Sequence, residues 1–143
     1  MPFFAKLRRV PMLKQPRHPQ SRIKSAPQLR QIYWCDFPAD GHHSEFTEKI
    51  RPVVIMSKNA KLHGNVTVLP LTTKPQPDNP MAFPIINPAN NQRSWVICDY
   101  PITLALRRLW PPGVSAVPRV EKEIFDRIVA LMWKLLPQPL KSV

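Results

Sequence analysis

Glycine is scarce in this chain, while proline is unusually frequent. The 143 residues include 3 glycines and 19 prolines. A proline inside a helix removes a backbone hydrogen bond and clashes with the preceding turn, so this composition argues against a helical bundle. It favours short strands joined by many fixed turns.

Signals for membrane insertion and secretion are also lacking. No stretch reaches the roughly 18 consecutive apolar residues that a membrane helix needs. The N-terminus has no apolar segment followed by a small-residue cleavage site, as a secretion signal would have. The only cysteines, Cys35 and Cys98, lie in separate apolar stretches. We expect them to be buried core thiols in a reducing compartment, and the protein to be cytoplasmic.

Motifs for metals, nucleotide cofactors and serine hydrolysis are absent as well. No C-x-x-C or H-E-x-x-H spacing occurs. His42 and His43 are adjacent, and neighbouring side chains of an extended loop point in opposite directions. Neither glycine-rich phosphate loop is present, and no serine sits on a glycine-flanked elbow. We therefore expect no bound metal and no cofactor.

Acidic residues are missing from the first thirty positions, which makes the charge uneven. The net charge is +12, and eight lysines and arginines lie in residues 1–30. A basic excess attracts polyanions such as RNA, DNA or an acidic protein, although a merely solvated tail fits equally well. The prolines of residues 1–27 indicate a mobile arm. A folded domain is expected over 28–137, with a short tail at 138–143.

Five short strands are predicted from runs of strand-forming residues bounded by turn residues. They cover 31–37, 51–57, 65–71, 81–86 and 94–98. Pro70 in the third strand implies an edge position or a bulge. Surface loops are expected at 39–50 and 74–80 and a turn at 88–91, while 103–109 could form a short helix or turn.

A helix is predicted near the C-terminus, over residues 119–136. Pro118 suits its start and Pro137 its end. One face of this helix is apolar, with Ile124, Ile128, Leu131, Met132 and Leu135. Five strands and one closing helix predict a mainly β protein with a strongly curved sheet or barrel.

Few polar residues interrupt the apolar strands. They are Arg51, Thr72 with Thr73, and Asp99. Each has an ordinary structural explanation: a charge at a strand entrance, β-branched residues at a strand end, and a turn cap before a proline. Taken one at a time, these explanations suffice.

Their order along the chain, however, resembles the PemK/MazF family of toxins from type II toxin–antitoxin systems. The likeness covers about residues 29–136. It rests on the segments 32–37, 44–46, 49–57, 68–73 and 94–99, followed by Thr103-Leu104 and Arg108-Leu109. The matching order of several segments makes the resemblance more specific than any one of them.

The resemblance implies a Src-homology-3-type barrel, shared with the CcdB gyrase poisons, and a homodimer. It also implies cutting of single-stranded RNA without metal, by attack of the RNA's own 2′-hydroxyl on the neighbouring phosphate. The products would be a 2′,3′-cyclic phosphate and a 5′-hydroxyl end. A cognate antitoxin would be a partner, and operator DNA would be bound only through it.

Residue roles follow from the same resemblance. Arg51 matches the arginine that opens the active-site strand and would clamp the phosphate. Thr72 matches the catalytic threonine, whose hydroxyl can donate to a phosphate oxygen. Glu45 and Asp99 match acidic positions that could accept the 2′-hydroxyl proton, with Glu45 slightly less favoured because it lies in a loop.

RNA contacts are expected from the loops at 38–50 and 73–82, with the RNA-binding candidates His43, Lys49, Thr73 and Lys74. Two departures from the family affect the proton route. Ile97 stands where some members have an arginine, and Ser44 where some have a histidine. Two other functions stay open: a gyrase-binding toxin like CcdB, and an inactive paralogue that only binds RNA or antitoxin.

Overall fold

The computed structural model describes residues 23–37, 50–58, 60–113 and 116–139. These ranges contain seven strands, a short 3-10 helix and an α-helix near the C-terminus. The elements are β1 (Ile32–Asp36), β2 (Ile50–Ile55), β3 (Asn65–Thr72), β4 (Ala82–Ile86), β5 (Arg93–Ile97), β6 (Ile102–Ala105), the 3-10 helix (Leu106–Arg108), β7 (Leu109–Trp110) and α1 (Lys122–Trp133). The five predicted strands all occur, within a few residues of their expected bounds.

Strand β3 is the centre of the sheet. All pairings are antiparallel, and the strand order is β4-β5-β3-β2-β1-β7, with β6 also paired to β3. The first half of β3 pairs with β6, its middle with β2, and its last two residues with β5. At eight residues β3 is long enough to serve all three partners.

Pro70 therefore lies in a central strand, and the edge alternative of its prediction is wrong. Backbone hydrogen bonds between β3 and β2 involve alternate residues such as Thr67, so the nitrogen of Pro70 faces the other edge. There the ladder is interrupted between the pairs Leu71↔Val96 and Val68↔Ile102. The missing N–H of Pro70 is thus accommodated at this interruption.

The segment after β5 closes the sheet into a barrel. Strand β6 lies on β3, whereas β7 lies on β1, at the other side of the β1–β2–β3 meander. The 3-10 helix crosses between them and carries Leu106, which is buried. The prediction of a short helix or turn over 103–109 is confirmed only for 106–108. It is wrong for 103–105 and for Leu109, because pairing with β3 and with β1 holds these residues extended.

Two apolar clusters occupy the two faces of the central strands. Alternate residues of each strand point to opposite faces. The barrel interior contains Tyr33, Cys35, Phe37, Val53, Ile55, Val66, Val68, Leu104, Leu106 and Leu109. The other face packs Ile32, Val54, Leu69, Leu71 and Val96 against Phe125 and Ile128 of α1. Since Val53, Val54 and Ile55 are fully buried, β2 is covered on both faces, as its apolar run predicts.

Helix α1 begins three residues later than predicted. Arg119 forms a β-bridge with Gln31, and the Val120 N–H donates to the Arg30 carbonyl. These bonds keep the chain extended after Pro118, so the helix starts at Lys122. Its end at Trp133 leaves Leu135 outside the helix.

The apolar core extends upstream of residue 28. Ile23 is 5% exposed and packs in the barrel interior. The remainder of the predicted arm, residues 1–22, lies outside the described residues. Among the helices of the described ranges, none has the length and hydropathy to span a bilayer.

Two residues of the predicted apolar helix face differ in how far they are buried, which allows a test of stability. Ile128 is fully buried, whereas Leu135 is 44% exposed. Ile128→Ala should lower the free energy of unfolding by about 2–5 kcal/mol, since it removes a core side chain and leaves a cavity. Leu135→Ala should change it by less than about 1 kcal/mol. Urea denaturation of both variants measures the difference, and equal losses would contradict the packing described.

The two cysteines are free and buried, as predicted. Burial, with a smaller contribution from the neighbouring Asp99 carboxylate, raises the pKa of the Cys98 thiol to about 12. Burial likewise raises the pKa of Cys35, with Asp36 adding to the effect and Arg108 opposing it. Both thiols stay protonated at neutral pH and are poor nucleophiles there.

The raised pKa of Cys98 predicts an alkaline loss of stability. The unfolded thiol, with its ordinary pKa of 9.0, loses its proton first as pH rises. The free energy of unfolding should therefore be unaffected by this group below about pH 9 and should fall between about pH 9 and 12. Cys98→Ala should be less stable at neutral pH but show a shallower alkaline decline. If the free energy of unfolding fell equally with pH in the wild type and in Cys98→Ala, this assignment would be contradicted.

Candidate functional site

Arg51 lies near the start of β2, where the paired part of β2 and β3 ends. The last register pair is Val53 with Pro70, and Arg51 and Thr72 lie two residues beyond it on their strands. Pro52 explains the end of the ladder, because its nitrogen cannot donate a hydrogen bond. Residues two positions apart on a strand point to the same face, so both side chains lie on the face of Val53 and Pro70. The two residues singled out from the sequence therefore share a face at the same end of the β2–β3 pair.

This pair belongs to a row of residues that runs across the sheet. Cys35 of β1 pairs with Arg51, and Trp95 of β5 pairs with Thr72. Burial alternates along this row. Cys35 and Thr72 are buried, whereas Arg51 and Trp95 are half-buried, and the Nε atom of Arg51 is inaccessible to solvent. The Arg51 guanidinium thus sits at the boundary where a preorganised charge acts more strongly than in open water.

The hydroxyl of Thr72 is oriented by the turn that follows it. Thr72 is 6% exposed, and its Oγ1 accepts a hydrogen bond from the Lys74 N–H at 3.1 Å. One lone pair of Oγ1 is thereby occupied, and the hydroxyl proton can serve as a donor. Such an arrangement can stabilise an anionic oxygen placed next to the Arg51 guanidinium.

An aromatic neighbour of Thr72 was missed by the sequence analysis as a site residue. Trp95 lies directly across from Thr72, and the Arg93 guanidinium lies 5.5 Å from the centre of its ring. Arg93 and Trp95 are two residues apart on one strand, so they share a face. Their i, i+2 spacing at the start of a predicted strand was the available signal. A half-exposed indole supported by a cation is a suitable surface for stacking a nucleobase.

Asp99 does not lie in this row. It is exposed in the turn after β5. The residue of β5 that belongs to the row is Trp95. The two residues from Trp95 to the strand end at Ile97 already cover about 7 Å. Asp99 therefore lies further along the barrel, beside the buried Cys98, whose pKa its charge helps to raise.

Thr73 and Lys74 follow Thr72 directly and are exposed at the strand end. They border the row and are accessible to a ligand. The remaining candidates, His43, Glu45 and Lys49, lie outside the described residues. The segment 38–49 that contains them connects the end of β1 to the start of β2, and Arg51 is the second residue of β2.

Metal ligands are not assembled in the described part of the chain. There, no group of three or more His, Cys, Asp or Glu side chains is arranged to hold an ion. The chemistry that the row can supply is a guanidinium, an oriented hydroxyl and an aromatic surface.

Solved structures of similar fold come from bacterial toxins. An endoribonuclease from a Mycobacterial species, solved in complex with its cognate antitoxin, is 22% identical and aligns with a TM-score of 0.57 over 80% of this chain and 100% of its own. The Mycobacterium tuberculosis toxin MazF-mt6 is 21% identical, with a TM-score of 0.55 over 74% of this chain and 95% of its own. MazF from Deinococcus radiodurans is 13% identical, with a TM-score of 0.60 over 78% of this chain and 97% of its own. At these identities the likeness concerns the fold, and it confirms the predicted Src-homology-3-type barrel with a C-terminal helix.

No individual curated protein matches the chain. The family follows instead from a match to a family model. A family model described as the PemK-like, MazF-like toxin of type II toxin–antitoxin systems matches residues 29–134, which include every strand and the α-helix named above. The predicted resemblance is confirmed: the chain belongs to the PemK-like, MazF-like toxins of type II toxin–antitoxin systems.

Proposed function

We propose that this toxin is an endoribonuclease that cuts single-stranded RNA without a metal ion. The observation that carries the proposal is the sheet register, which puts Arg51 and Thr72 on one face at the same end of β2 and β3, with Trp95 paired to Thr72. A guanidinium and a hydroxyl donor suit a phosphate, and an indole suits a base. A protein that acted only by binding gyrase would have no use for this combination.

In the proposed reaction the 2′-oxygen of one nucleotide attacks the adjacent phosphorus, and the bond from phosphorus to the 5′-oxygen breaks. The 2′-hydroxyl proton passes to a base, and the leaving 5′-oxygen takes up a proton. A 2′,3′-cyclic phosphate and a 5′-hydroxyl end result. Negative charge grows on the phosphate oxygens during attack, and Arg51 and Thr72 stabilise it by donating hydrogen bonds.

Asp99 and Glu45 are the two residues proposed as the base. Asp99 lies along the barrel from the end of the β2–β3 pair, beyond the end of β5. Glu45 belongs to the segment 38–49, outside the described residues. His43 and Lys49 belong to the same segment and suit RNA contact.

Base and backbone contacts are proposed around the same row. The Trp95 ring, with Arg93 beside it, suits stacking of a base next to the cleaved phosphate. Thr73 and Lys74 are exposed at the adjoining strand end and suit contacts to the following nucleotide.

A homodimer and a cognate antitoxin are the proposed protein partners. Similar structures include an endoribonuclease with its cognate antitoxin and the MazE-MazF complex from Deinococcus radiodurans. An acidic antitoxin segment would fit a toxin of net charge +12. Operator DNA would be bound only through the antitoxin, and the proposed location is the cytoplasm.

Removal of Arg51 tests the mechanism. Purified protein should cleave single-stranded RNA at an unchanged rate in EDTA and leave 2′,3′-cyclic phosphate ends. Arg51→Ala should lower the rate by at least about 10²-fold, and Arg51→Lys should restore little, because an ammonium lacks the bidentate fork.

Arg127→Ala, which removes an exposed charge from α1, is the matched control for net charge. Cleavage that depends on added metal, or an Arg51→Ala variant as active as Arg127→Ala, would sink the mechanism. A gyrase supercoiling assay beside the RNA assay separates the CcdB-like alternative. Folded wild-type protein that leaves both substrates untouched would favour the inactive paralogue.

The role of Thr72 is tested by removing its hydroxyl alone. Thr72→Val should lower kcat by about 10²–10³-fold with a smaller change in KM, since the donor acts mainly in the transition state. Thr67→Val is the control on the same strand, where the hydroxyl pairs instead with Thr103. Equal kinetics of the two variants would exclude Thr72 from the reaction.

A further inference from the structure

A second cationic site lies at the other end of β2 from Arg51. It is an open cleft of about 440 Å³ lined by residues 26–30, Lys58, Ala60 and Arg119. Three of these lining side chains are cationic, and none of them is acidic. Among the residues that the structure describes, no carboxylate lies within ion-pair distance of Arg30, Lys58 or Arg119.

The cleft is built on fixed backbone. The segment that carries Arg30 is hydrogen-bonded on one side to the end of β2, through the Arg30 N–H to the Ile55 carbonyl at 3.1 Å. On the other side, the Arg30 carbonyl accepts from the Val120 N–H at 2.9 Å. Lys58 follows the end of β2, and Arg119 precedes Val120, so the three cations come from three chain segments that line one cleft.

Arg30 itself has a conformation that needs an explanation. Its φ is 75°, in the left-handed region that disfavours residues with a Cβ. Glycine would fit this position with less strain, yet an arginine occupies it. Strained residues are retained where the surrounding structure holds them in place, and they concentrate at binding sites.

The polar lining of the cleft offers donors to a ligand. Arg119 donates to the Oε1 of Gln28, whose own backbone N–H donates to the Gln31 side chain at 2.7 Å. This fixes the Arg119 side chain, and its other guanidinium N–H groups suit an anion. None of the described residues that line the cleft is aromatic, so the cleft offers charge rather than a stacking surface.

We infer that this cleft binds a backbone phosphate of the RNA substrate, at a distance from the cleaved bond. Arg51 and Ile55 are about 13 Å apart along β2, so one RNA strand can reach both ends of the sheet. Contacts to phosphate carry no sequence preference and supply affinity that weakens with salt. This inference rests on the proposed function, because it assigns the ligand of the cleft to the strand that is cut.

Arg30→Gly separates binding from folding. It removes the guanidinium and relieves the left-handed strain, so the fold should be retained, which urea denaturation checks. Asn91→Gly relieves the same kind of strain at φ 62°, in the β4–β5 turn, and is the matched backbone control. Arg127→Ala is again the control for net charge.

The probes are two single-stranded RNAs with a 2′-deoxy nucleotide at the cleaved position, which prevents cutting. One is a minimal oligonucleotide around the cleaved bond, and the other extends past it on both sides. Arg30→Gly should weaken binding of the extended RNA several-fold and leave the minimal one unchanged. The slope of log Kd against log salt concentration should become shallower by about 0.7 for each phosphate that the variant no longer neutralises.

Three results would overturn the inference: unchanged affinity for the extended RNA, an equal loss for both RNAs, or a loss confined to binding of the acidic antitoxin. The last result would assign the cleft to a protein partner. Cleavage of the ribose form of the RNA is measured separately. If wild-type protein binds but never cuts it, the proposed function fails while the cleft assignment stands.

Discussion

The pairing of β3 on both of its edges is the interaction on which the rest of the structure depends. Strand β2 occupies one edge, and β6 and β5 share the other. This arrangement separates the two apolar clusters, since alternate residues of β3 enter the barrel interior and the face covered by α1. It also puts Thr72, the last residue of β3, at the same end of the β2–β3 pair as Arg51. The site is therefore a consequence of the same register that forms the core.

Strong apolar runs made most strands predictable, because a strand such as Val53–Ile55 must be buried on both faces. The strand β6 was not predictable in this way. Its four residues contain one buried side chain, and its formation depends on β3, which is distant in sequence. The start of α1 was mispredicted for a related reason. A proline before an amphipathic stretch favours a helix locally, but pairing of Arg119 with Gln31 keeps the chain extended.

The residues of the candidate site also divide into those predictable from local sequence and those that depend on pairing between distant strands. Arg51 and Thr72 were predictable because each interrupts an apolar strand, and a known order of motifs links them. Trp95 and Arg93 were not singled out, since their relevance depends on which strand lies beside β3. Asp99 illustrates the converse: its place in the sequence resembles the family pattern, but the turn after β5 carries it away from the row. Sequence order determines neither the level of a residue along a barrel nor its neighbours on the adjoining strand.

The closure of the barrel by β7 has a consequence for the timing of synthesis. Trp34 and Cys35 of β1 pair with Trp110 and Leu109, which the ribosome adds much later. Contacts so distant in sequence form slowly and only after the later partner exists. Until β6 and β7 leave the ribosome, the interior around Val53 and Val68 has no cover on that side. The barrel core is therefore completed only after most of the chain has been synthesised.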